Sequence, residues 1–382
     1  MKKNYLLIAL SLLLVCTTLI VSCQDDDGDA YVPVSPVVLN PADVPYAKLS
    51  DYHFFEGALK DLTPAYKVLP YRPASELFTD YAHKKRFVWM PQGTMATYNG
   101  NDNALVFPVG AVLIKNFFYD NVAPSNTTRI IETRILIKTH EEGFNSDGSM
   151  IDSGWEPYDY IWNEEQTEAY LDTEGQGVFV PLTFTDSGVT RDIYYKIPAQ
   201  TECHTCHKLN PDHAVGGEVV IPIGVKPQNL NNVYDYGTAQ RNQLEKWVSE
   251  GYLDPNIPAN ILSTVDYRDT SQPLELRARS YIDANCAHCH RIGGHCDYAA
   301  MRFNFSNTDL STFGVCMPYQ FALPEDMEYV IKAGDANNSE LIYRISSTDG
   351  SVMMPFIGRS IVHDEGVALM KEWINSLETT CE

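Results

Sequence analysis

Residues 277–290 read RARSYIDANCAHCH and end in the pattern Cys-x-x-Cys-His, which also occurs as CHTCH at residues 203–207. This pattern is the attachment site of a c-type haem. Two thiols three positions apart can each bond to one vinyl group on the same porphyrin edge, and the histidine that follows then lies under the iron. The sequence therefore predicts two haem c groups. Their thioether positions are Cys203, Cys206, Cys286 and Cys289, and their proximal iron ligands are His207 and His290.

Three other uses of paired cysteines compete with haem attachment. A zinc site can use Cys-x-x-Cys twice, but it does not need His207 and His290 directly after the second cysteine. A redox-active dithiol normally occurs once, inside a thioredoxin-like βαβ pattern, and this sequence shows no such pattern. Cysteines this close in sequence rarely form a disulfide without strain. Two full matches in one chain therefore favour haem over zinc, dithiol and disulfide chemistry.

Apolar periodicity on both sides of the second motif predicts helices. Leu274, Ala278 and Ile282 share one helical face, and that helix leads into the motif. An aromatic-bearing last helix that crosses the first is how a small cytochrome c closes over its haem. The sequence therefore predicts an all-α cytochrome c domain at residues 270–382. The last helix follows Asp364 and carries its apolar stripe at Val367, Met370, Ile374 and Leu377, with Trp373 beside the stripe.

A loop between these helices offers a distal ligand for the second haem. Met354 is the predicted ligand because it directly precedes Pro355, which stiffens the loop, and Met353 is the reserve. A thioether on the distal face raises the reduction potential of a haem. The alternative is that both methionines fill gaps in the core.

The first haem has no obvious distal ligand. His213 follows His207 too closely for the chain to clear the porphyrin rim and return to the iron. An iron without a second axial ligand would bind small molecules or react with peroxide. The sequence leaves two alternatives for the distal position of the first haem: it is empty, or a side chain of the preceding unit fills it. The candidate side chains are Met90, Met95 and His83.

Apolar and alternating runs predict a β-rich domain at residues 46–200. Val112–Tyr119 is strongly apolar, and an Asp-Ser-Gly turn separates Val178–Thr185 from Val189–Ile197. We predict an antiparallel β-sandwich-like unit, followed by a haem-binding α segment at residues 201–265. Together with the C-terminal all-α domain, this predicts an α+β multidomain fold.

The first residues are typical of a bacterial secretion signal. Lys2 and Lys3 precede an apolar run, and Ser22 stands directly before Cys23. This pattern predicts a lipoprotein signal peptide at residues 1–22 and lipid on Cys23, which would anchor the chain to a membrane. The alternative is a transmembrane anchor with an incidental cysteine.

An acidic, proline-containing tether follows at residues 23–45. Signal and tether together predict an exported lipoprotein of a Gram-negative envelope, on the outer membrane, facing either the periplasm or the cell surface. Because that compartment is oxidising, cysteines outside the haem motifs are expected to be bonded. We expect a disulfide between Cys296 and Cys316, whereas Cys381 near the end is free or frayed.

The charge balance restricts the partners. The formal net charge of −22 argues against nucleic acid, whose phosphates require a surplus of Lys and Arg. It also argues against docking on anionic lipid through a basic surface. It predicts a redox partner with a basic docking surface and an association weakened by salt. The basic run His83–Arg86 is an exception in this acidic chain; it either contacts haem propionates or, the favoured interpretation, forms a plain surface patch.

The chain resembles a family of exported di-haem c-type cytochromes of Gram-negative bacteria. The resemblance implies electron transfer through two covalent haems on the two motifs, and Met354 matches the position of a Met-Pro ligand. The matching segments follow the family's order over nearly all of the chain beyond the signal peptide. They are residues 77–91, 107–117, 131–138, 160–169, 203–207, 277–290 and 352–374.

Electron transfer at the cell envelope is the favoured function. The alternative is an enzyme, either a di-haem peroxidase or a small-molecule oxidoreductase with an open coordination site on the first haem. A third class is a surface-binding protein whose haems are structural. No Ser-His-Asp set, phosphate-binding loop or carboxylate pair stands out in the β-rich domain.

Overall fold

The computed structural model of this chain describes residues 33–210, 213, 217–319 and 327–382. Residues 36–382 form one compact unit. The predicted signal peptide, Cys23 and the acidic run after it lie outside the described residues. Within the described ranges, no helix is both long enough and apolar enough to cross a membrane.

Strands and short helices alternate with long loops. In chain order, the strands of the described residues are β1 (Phe55–Glu56), β2 (Thr63–Pro64), β3 (Leu69–Tyr71), β4 (His83–Trp89), β5 (Val112–Val122), β6 (Thr127–Lys138), β7 (Gly143–Phe144), β8 (Met150–Asp152), β9 (Trp155–Trp162), β10 (Ala169–Leu171), β11 (Val178–Asp186), β12 (Val189–Ile197), β13 (Lys208–Leu209), β14 (Val219–Val220), β15 (Val233–Asp235) and β16 (Gln240–Asn242). The α-helices are α1 (Gln200–His207), α2 (Pro227–Leu230), α3 (Gln243–Glu250), α4 (Leu274–Ile282), α5 (Glu340–Ser346) and α6 (Asp364–Asn375). Short 3-10 helices lie at Leu49–Tyr52, Leu59–Asp61 and Ala336–Asn338, and a π-helical turn lies at Asp283–Ala287.

One antiparallel sheet of eight strands dominates the unit. Its main path runs β10-β9-β6-β5-β11-β12, while β4 pairs with β5 and β3 pairs with β4. The predicted hairpin is confirmed, because β11 and β12 pair from Val178–Ile197 to Asp186–Val189. The predicted sandwich is wrong. The long strand β5 pairs with β4 and β6 and also meets β11 at Val122. The strands that were expected to form two sheets therefore belong to one.

The predicted all-α cytochrome c domain at residues 270–382 is also wrong, and with it the predicted fold class. The apolar stripes do form α4 and α6. However, turns, bends and loops make up most of the rest of this segment, as far as the structure describes it, and one large antiparallel sheet dominates the described residues. Residues 291–335 contain four glycines and four aspartates, which favour turns over helix.

Helices α4 and α6 cross at a close approach that requires glycine. A Cβ atom added at Gly366 of α6 would overlap the phenol ring of Tyr281 in α4. Trp373 and Ile374 are buried in the same core cluster as Ala278 of α4. The crossing therefore holds the end of α4, and with it the start of the second cysteine motif, against the last helix.

A buried ion pair joins the segments that carry the two motifs. Lys226 Nζ lies 3.0 Å from Oδ1 and 3.1 Å from Oδ2 of Asp283, directly before the second motif. Asp283 also accepts a hydrogen bond of 3.0 Å from the backbone N–H of Phe305. Removing Lys226 would leave Asp283 buried without its cation, which is costly, whereas Lys226 also lies 3.4 Å from Asp102.

Candidate functional site

The first cysteine motif lies on α1, directly after the last strand of the sheet. Cys203 and Cys206 are three positions apart on this helix, so their side chains lie on the same helical face. Glu202 stabilises the start of the helix by accepting a hydrogen bond of 2.8 Å from the backbone N–H of Ala199. The short helix therefore presents both thiols in one direction, as attachment to one porphyrin edge requires.

The imidazole of His207 is oriented by the backbone. Its Nδ1 lies 2.7 Å from the carbonyl oxygen of Ile221, and the Ile221 N–H donates to the His207 carbonyl at 2.8 Å. Because Nδ1 donates its proton to that carbonyl, Nε2 keeps its lone pair for a metal ion. Burial lowers the pKa of His207 to about 4, so the ring is neutral at pH 7.

The second motif spans the π-helical turn and the residues after it. Its His290 is half-buried, and this burial lowers its pKa to about 4. The ring meets Phe303 edge to face, with 5.2 Å between centroids, and the Phe303 N–H donates to the His290 carbonyl at 3.1 Å. Within the described ranges, Nδ1 of His290 is buried without a hydrogen-bond partner. The two histidines thus share a neutral state but differ in what orients their rings.

The two motifs touch one another. Cys289 donates a hydrogen bond to the Cys206 sulfur, which lowers the pKa of Cys206 and raises that of Cys289. Cys289 Sγ also lies 3.7 Å from the carbonyl oxygen of Thr205. Burial raises the pKa of the outer thiols, to about 11 for Cys203 and about 12 for Cys286. Two motifs far apart in sequence therefore have their cysteine side chains next to each other.

A cavity of about 310 Å³ opens beside the second motif. His290 and the predicted ligand Met354 both line it, together with Cys286 and Cys289. Most of the remaining wall is apolar. Its charged side chains Glu340 and Arg344 form an ion pair of 2.7 Å, so their charges balance. The structure therefore brings His290 and Met354 to one cavity, and iron ligation by Met354 stays a prediction.

A second cavity, of about 420 Å³, opens beside the first motif. Cys203, Cys206 and His207 lie on one side, and side chains of β4, β5 and β6 form the opposite wall. Met353 lines this cavity and not the other, while His288 of the second motif lines both. Met353 and Met354 are adjacent in one loop but thus line different cavities.

Arg359 holds the methionine loop in place. This buried guanidinium donates to the carbonyl oxygens of Met354 and Ser347, at 2.8 Å each. Asp80, at the end of the loop before β4, accepts the backbone N–H of Ser360 at 2.7 Å and its hydroxyl at 2.8 Å. The loop between the cavities is therefore tied both to the C-terminal segment and to the edge of the sheet region.

Several predicted site residues lie elsewhere. His213 is exposed and lies 3.4 Å from Asp297. The predicted Cys296–Cys316 disulfide is wrong, because Cys316 is bonded to Cys381 and Cys296 is a buried free thiol. In the part of the chain that the structure describes, His213 and the candidate ligands Met90, Met95 and His83 are absent from the walls of both cavities.

The sequence reasoning missed the basic wall of the first cavity. Arg86, Lys115 and Arg134 project from neighbouring strands into it. Only Arg86 belonged to the basic run noted in the sequence. The signal for the others is a cation inside an otherwise apolar strand, in Leu113–Phe117 and in Ile130–Ile137. Such a residue is costly to bury without a partner.

The residues present fit a covalent haem at each motif. Each site offers paired thiols, a neutral histidine and a cavity beside them, and the methionine loop contributes a thioether to each cavity. Among the residues described, no group of three or more His, Cys, Asp or Glu side chains could hold a metal ion.

Comparison with protein-family models, curated proteins and solved structures gave no match to this chain. The resemblance to exported di-haem cytochromes therefore stays a prediction that depends on the residues quoted for it.

Proposed function

We propose that this chain is an electron-transfer protein that carries two covalent haem c groups next to each other. The observation that supports this most is the contact between the two cysteine motifs, in which Cys289 Sγ lies 3.7 Å from the carbonyl oxygen of Thr205. One-electron transfer between cofactors needs such proximity. A zinc site or two separate disulfides would not need a cavity with a neutral histidine beside each cysteine pair.

The protein side chains have separate roles in this proposal. Cys203, Cys206, Cys286 and Cys289 fix the groups covalently, and His207 and His290 are the proximal ligands. A bound haem supplies the one-electron couple of its iron. Met354 is the proposed distal ligand at the second site, and the apolar wall there excludes water, which tunes the potential through burial.

The environment of the protein is part of the proposal. The chain would be exported, lipidated on Cys23 and held at the outer membrane of a Gram-negative envelope. Its net charge of −22 favours a redox partner with a basic docking surface. Added salt would then weaken the association, because it screens charges across the interface.

The first cavity favours a second candidate, a small-molecule oxidoreductase or a peroxidase. It is the larger of the two cavities described, and the six cationic residues that line it outnumber the three carboxylates there. If neither Met353 nor His288 ligates the first iron, an anionic substrate could reach that position. The second site would then supply or remove electrons.

The deciding experiment uses the mature chain from a host that attaches haem c. Intact mass, the optical spectrum of the reduced protein and EPR of the oxidised protein count the haems and report the spin state of each iron. We expect two covalently bound haems, both low-spin. A matched control is the variant with Cys286 and Cys289 both changed to Ala, which should retain one haem.

A colourless wild-type chain with the mass of the bare lipidated polypeptide would rule out the proposal. One high-spin iron together with peroxide turnover would instead favour the oxidoreductase. Two low-spin haems that react with no small oxidant would favour electron transfer.

A further inference from the structure

Three cationic side chains form a row across the centre of the sheet. The register places Arg86 of β4 opposite Lys115 of β5, and Lys115 opposite Arg134 of β6. All three line the cavity that contains His207. Like charges directly opposite one another on neighbouring strands destabilise a sheet. This row is therefore unfavourable unless an anion compensates it.

The carboxylates nearby compensate only part of this charge. Glu76 pairs with Arg86 at 3.3 Å, and Glu132 pairs with Arg134. Within the described ranges Lys115 forms no ion pair, and its Nζ lies 4.6 Å from the centroid of the Phe117 ring. The central cation of the row thus faces the cavity without a counter-charge.

Neighbouring groups do not supply the missing charge either. Asp159 follows Arg134 in the row, but burial and the adjacent Glu132 raise its pKa well above the usual range, so its negative charge is disfavoured. Burial, then Arg86 and Arg134, lower the pKa of Lys115 well below its usual value. The row is therefore poorly hydrated, and the charged form of Lys115 is disfavoured unless an anion approaches from the cavity side.

We propose that Arg86, Lys115 and Arg134 bind the carboxylate groups of the haem attached at Cys203 and Cys206. This inference rests on the proposed function. A haem c bonded through its vinyl edge still carries two propionate carboxylates, and the cavity is continuous from the two cysteines to the row. Guanidinium groups bind carboxylates through paired hydrogen bonds, and an ammonium group adds a point charge.

The test is a redox titration of the haem-loaded full chain with Lys115→Met, which removes the charge and keeps the length of the side chain. Without this cation the carboxylate is less compensated, and the oxidised iron is favoured. At a fixed potential, we expect the ratio of reduced to oxidised first haem to fall roughly tenfold, the order expected for loss of one interior charge. For a one-electron couple this is about 59 mV.

Two matched variants identify the cause. Lys85→Met removes a cation from the same region of the sheet, but Lys85 is exposed and is not among the residues lining the cavity, so the potential should not change. Lys115→Arg keeps the charge and should keep the wild-type potential. If Lys115→Met does not accumulate, Lys115→Gln carries the same expectation.

The outcomes separate this inference from the proposed function. A wild-type chain without haem would overturn both. A di-haem chain in which Lys115→Met and Lys85→Met titrate alike would overturn only the assignment of the row. The last measurement adds succinate, a free dicarboxylate, to the wild-type protein. If succinate shifts the first haem's spectrum, and Lys115→Met abolishes that shift, the row binds an exogenous carboxylate and not the haem's own.

Discussion

Each of the two cavities lies beside a Cys-x-x-Cys-His motif, but the side chains that line them differ in polarity and charge. The cavity of His290 is lined mostly by apolar side chains, and its ion pair of Glu340 with Arg344 is balanced. The cavity of His207 faces the sheet and contains an unbalanced lysine. The cysteine pattern can thus specify attachment, but the wall opposite it sets the electrostatic environment. Two sites with one attachment chemistry are therefore expected to have different potentials.

The proximal histidines add to this contrast. His207 donates from Nδ1 to a backbone carbonyl, which raises the basicity of the ring as a ligand. Nδ1 of His290 has no such acceptor among the residues described. A more basic proximal imidazole stabilises the oxidised iron, whereas the nearby cations favour the reduced iron. If both sites carry haem as proposed, two opposing influences act on the potential of the first site, whereas burial and Met354 mainly set that of the second.

The largest expected effect comes from removing one pair of thiols. Changing Cys203 and Cys206 to Ala should delete the first haem, and changing Cys286 and Cys289 to Ala should delete the second, because each pair attaches one group. Intact mass and optical absorbance should each report one haem per chain in both variants.

The spectrum of the remaining haem provides the control for this pair of variants. Each single-haem protein should reproduce one component of the wild-type redox titration, shifted only by the loss of its neighbour. If either variant loses both haems or keeps both, the two sites are not independent attachment sites.

The next effect concerns the two adjacent methionines. Met354→Ala should change the spectrum and lower the potential of the second haem alone, since a thioether ligand favours the reduced iron. Axial ligands set haem potentials over a range of about 0.8 V, so the shift should be large compared with that of any surface variant. Redox titration followed by optical spectroscopy measures it.

Met353→Ala is the matched variant for the first cavity. If Met353 ligates the first iron, this variant alters only the first haem, and His288→Ala leaves that iron low-spin. If instead His288→Ala alters the first haem and Met353→Ala leaves its iron low-spin, His288 is the ligand. If neither variant changes the first haem, its distal position is occupied by another group or is open, which strengthens the oxidoreductase candidate.

Local patterns predicted the elements well, but not how they assemble. The stripes after Leu274 and Asp364 form helices, and the turn at Asp186 forms the expected hairpin, because periodicity and turn chemistry act over a few residues. The single sheet depends on β5 pairing with partners on both sides, including β11 far along the chain, and no local pattern encodes such pairing.

The same limit applies to the candidate site. The cysteines and histidines could be named from their spacing alone. By contrast, the cationic row depends on strand register, and the division of Met353 and Met354 between two cavities depends on how one loop lies between two segments. The partner of Cys316 was mispredicted for the same reason, since sequence proximity favoured Cys296 over the distant Cys381.

The smallest effect is expected from that disulfide, which closes the segment that carries both Met353 of the first cavity and Met354 of the second. The Cys316–Cys381 bond closes a loop with a sequence separation of 65 residues, and the backbone N–H of Cys316 donates to the carbonyl of Ile331, next to Val330 in the wall of the second cavity. Cys381→Ser should lower the free energy of unfolding by about 2–4 kcal/mol, because the unfolded chain regains conformational freedom. Thermal unfolding of the haem-loaded protein measures this loss.

Cys296→Ser is the matched control, because it removes a buried thiol that forms no disulfide. Peptide mapping without reductant should show the Cys316–Cys381 peptide in the wild-type chain and in Cys296→Ser, but not in Cys381→Ser. The segment that the disulfide closes supplies half of the residues that line the second cavity but fewer than a fifth of those that line the first. Cys381→Ser should therefore shift the potential of the second haem more than that of the first. Equal shifts at the two haems would mean that this segment supports both cavities to the same extent, and the contrast between their walls would then not explain a difference in potential.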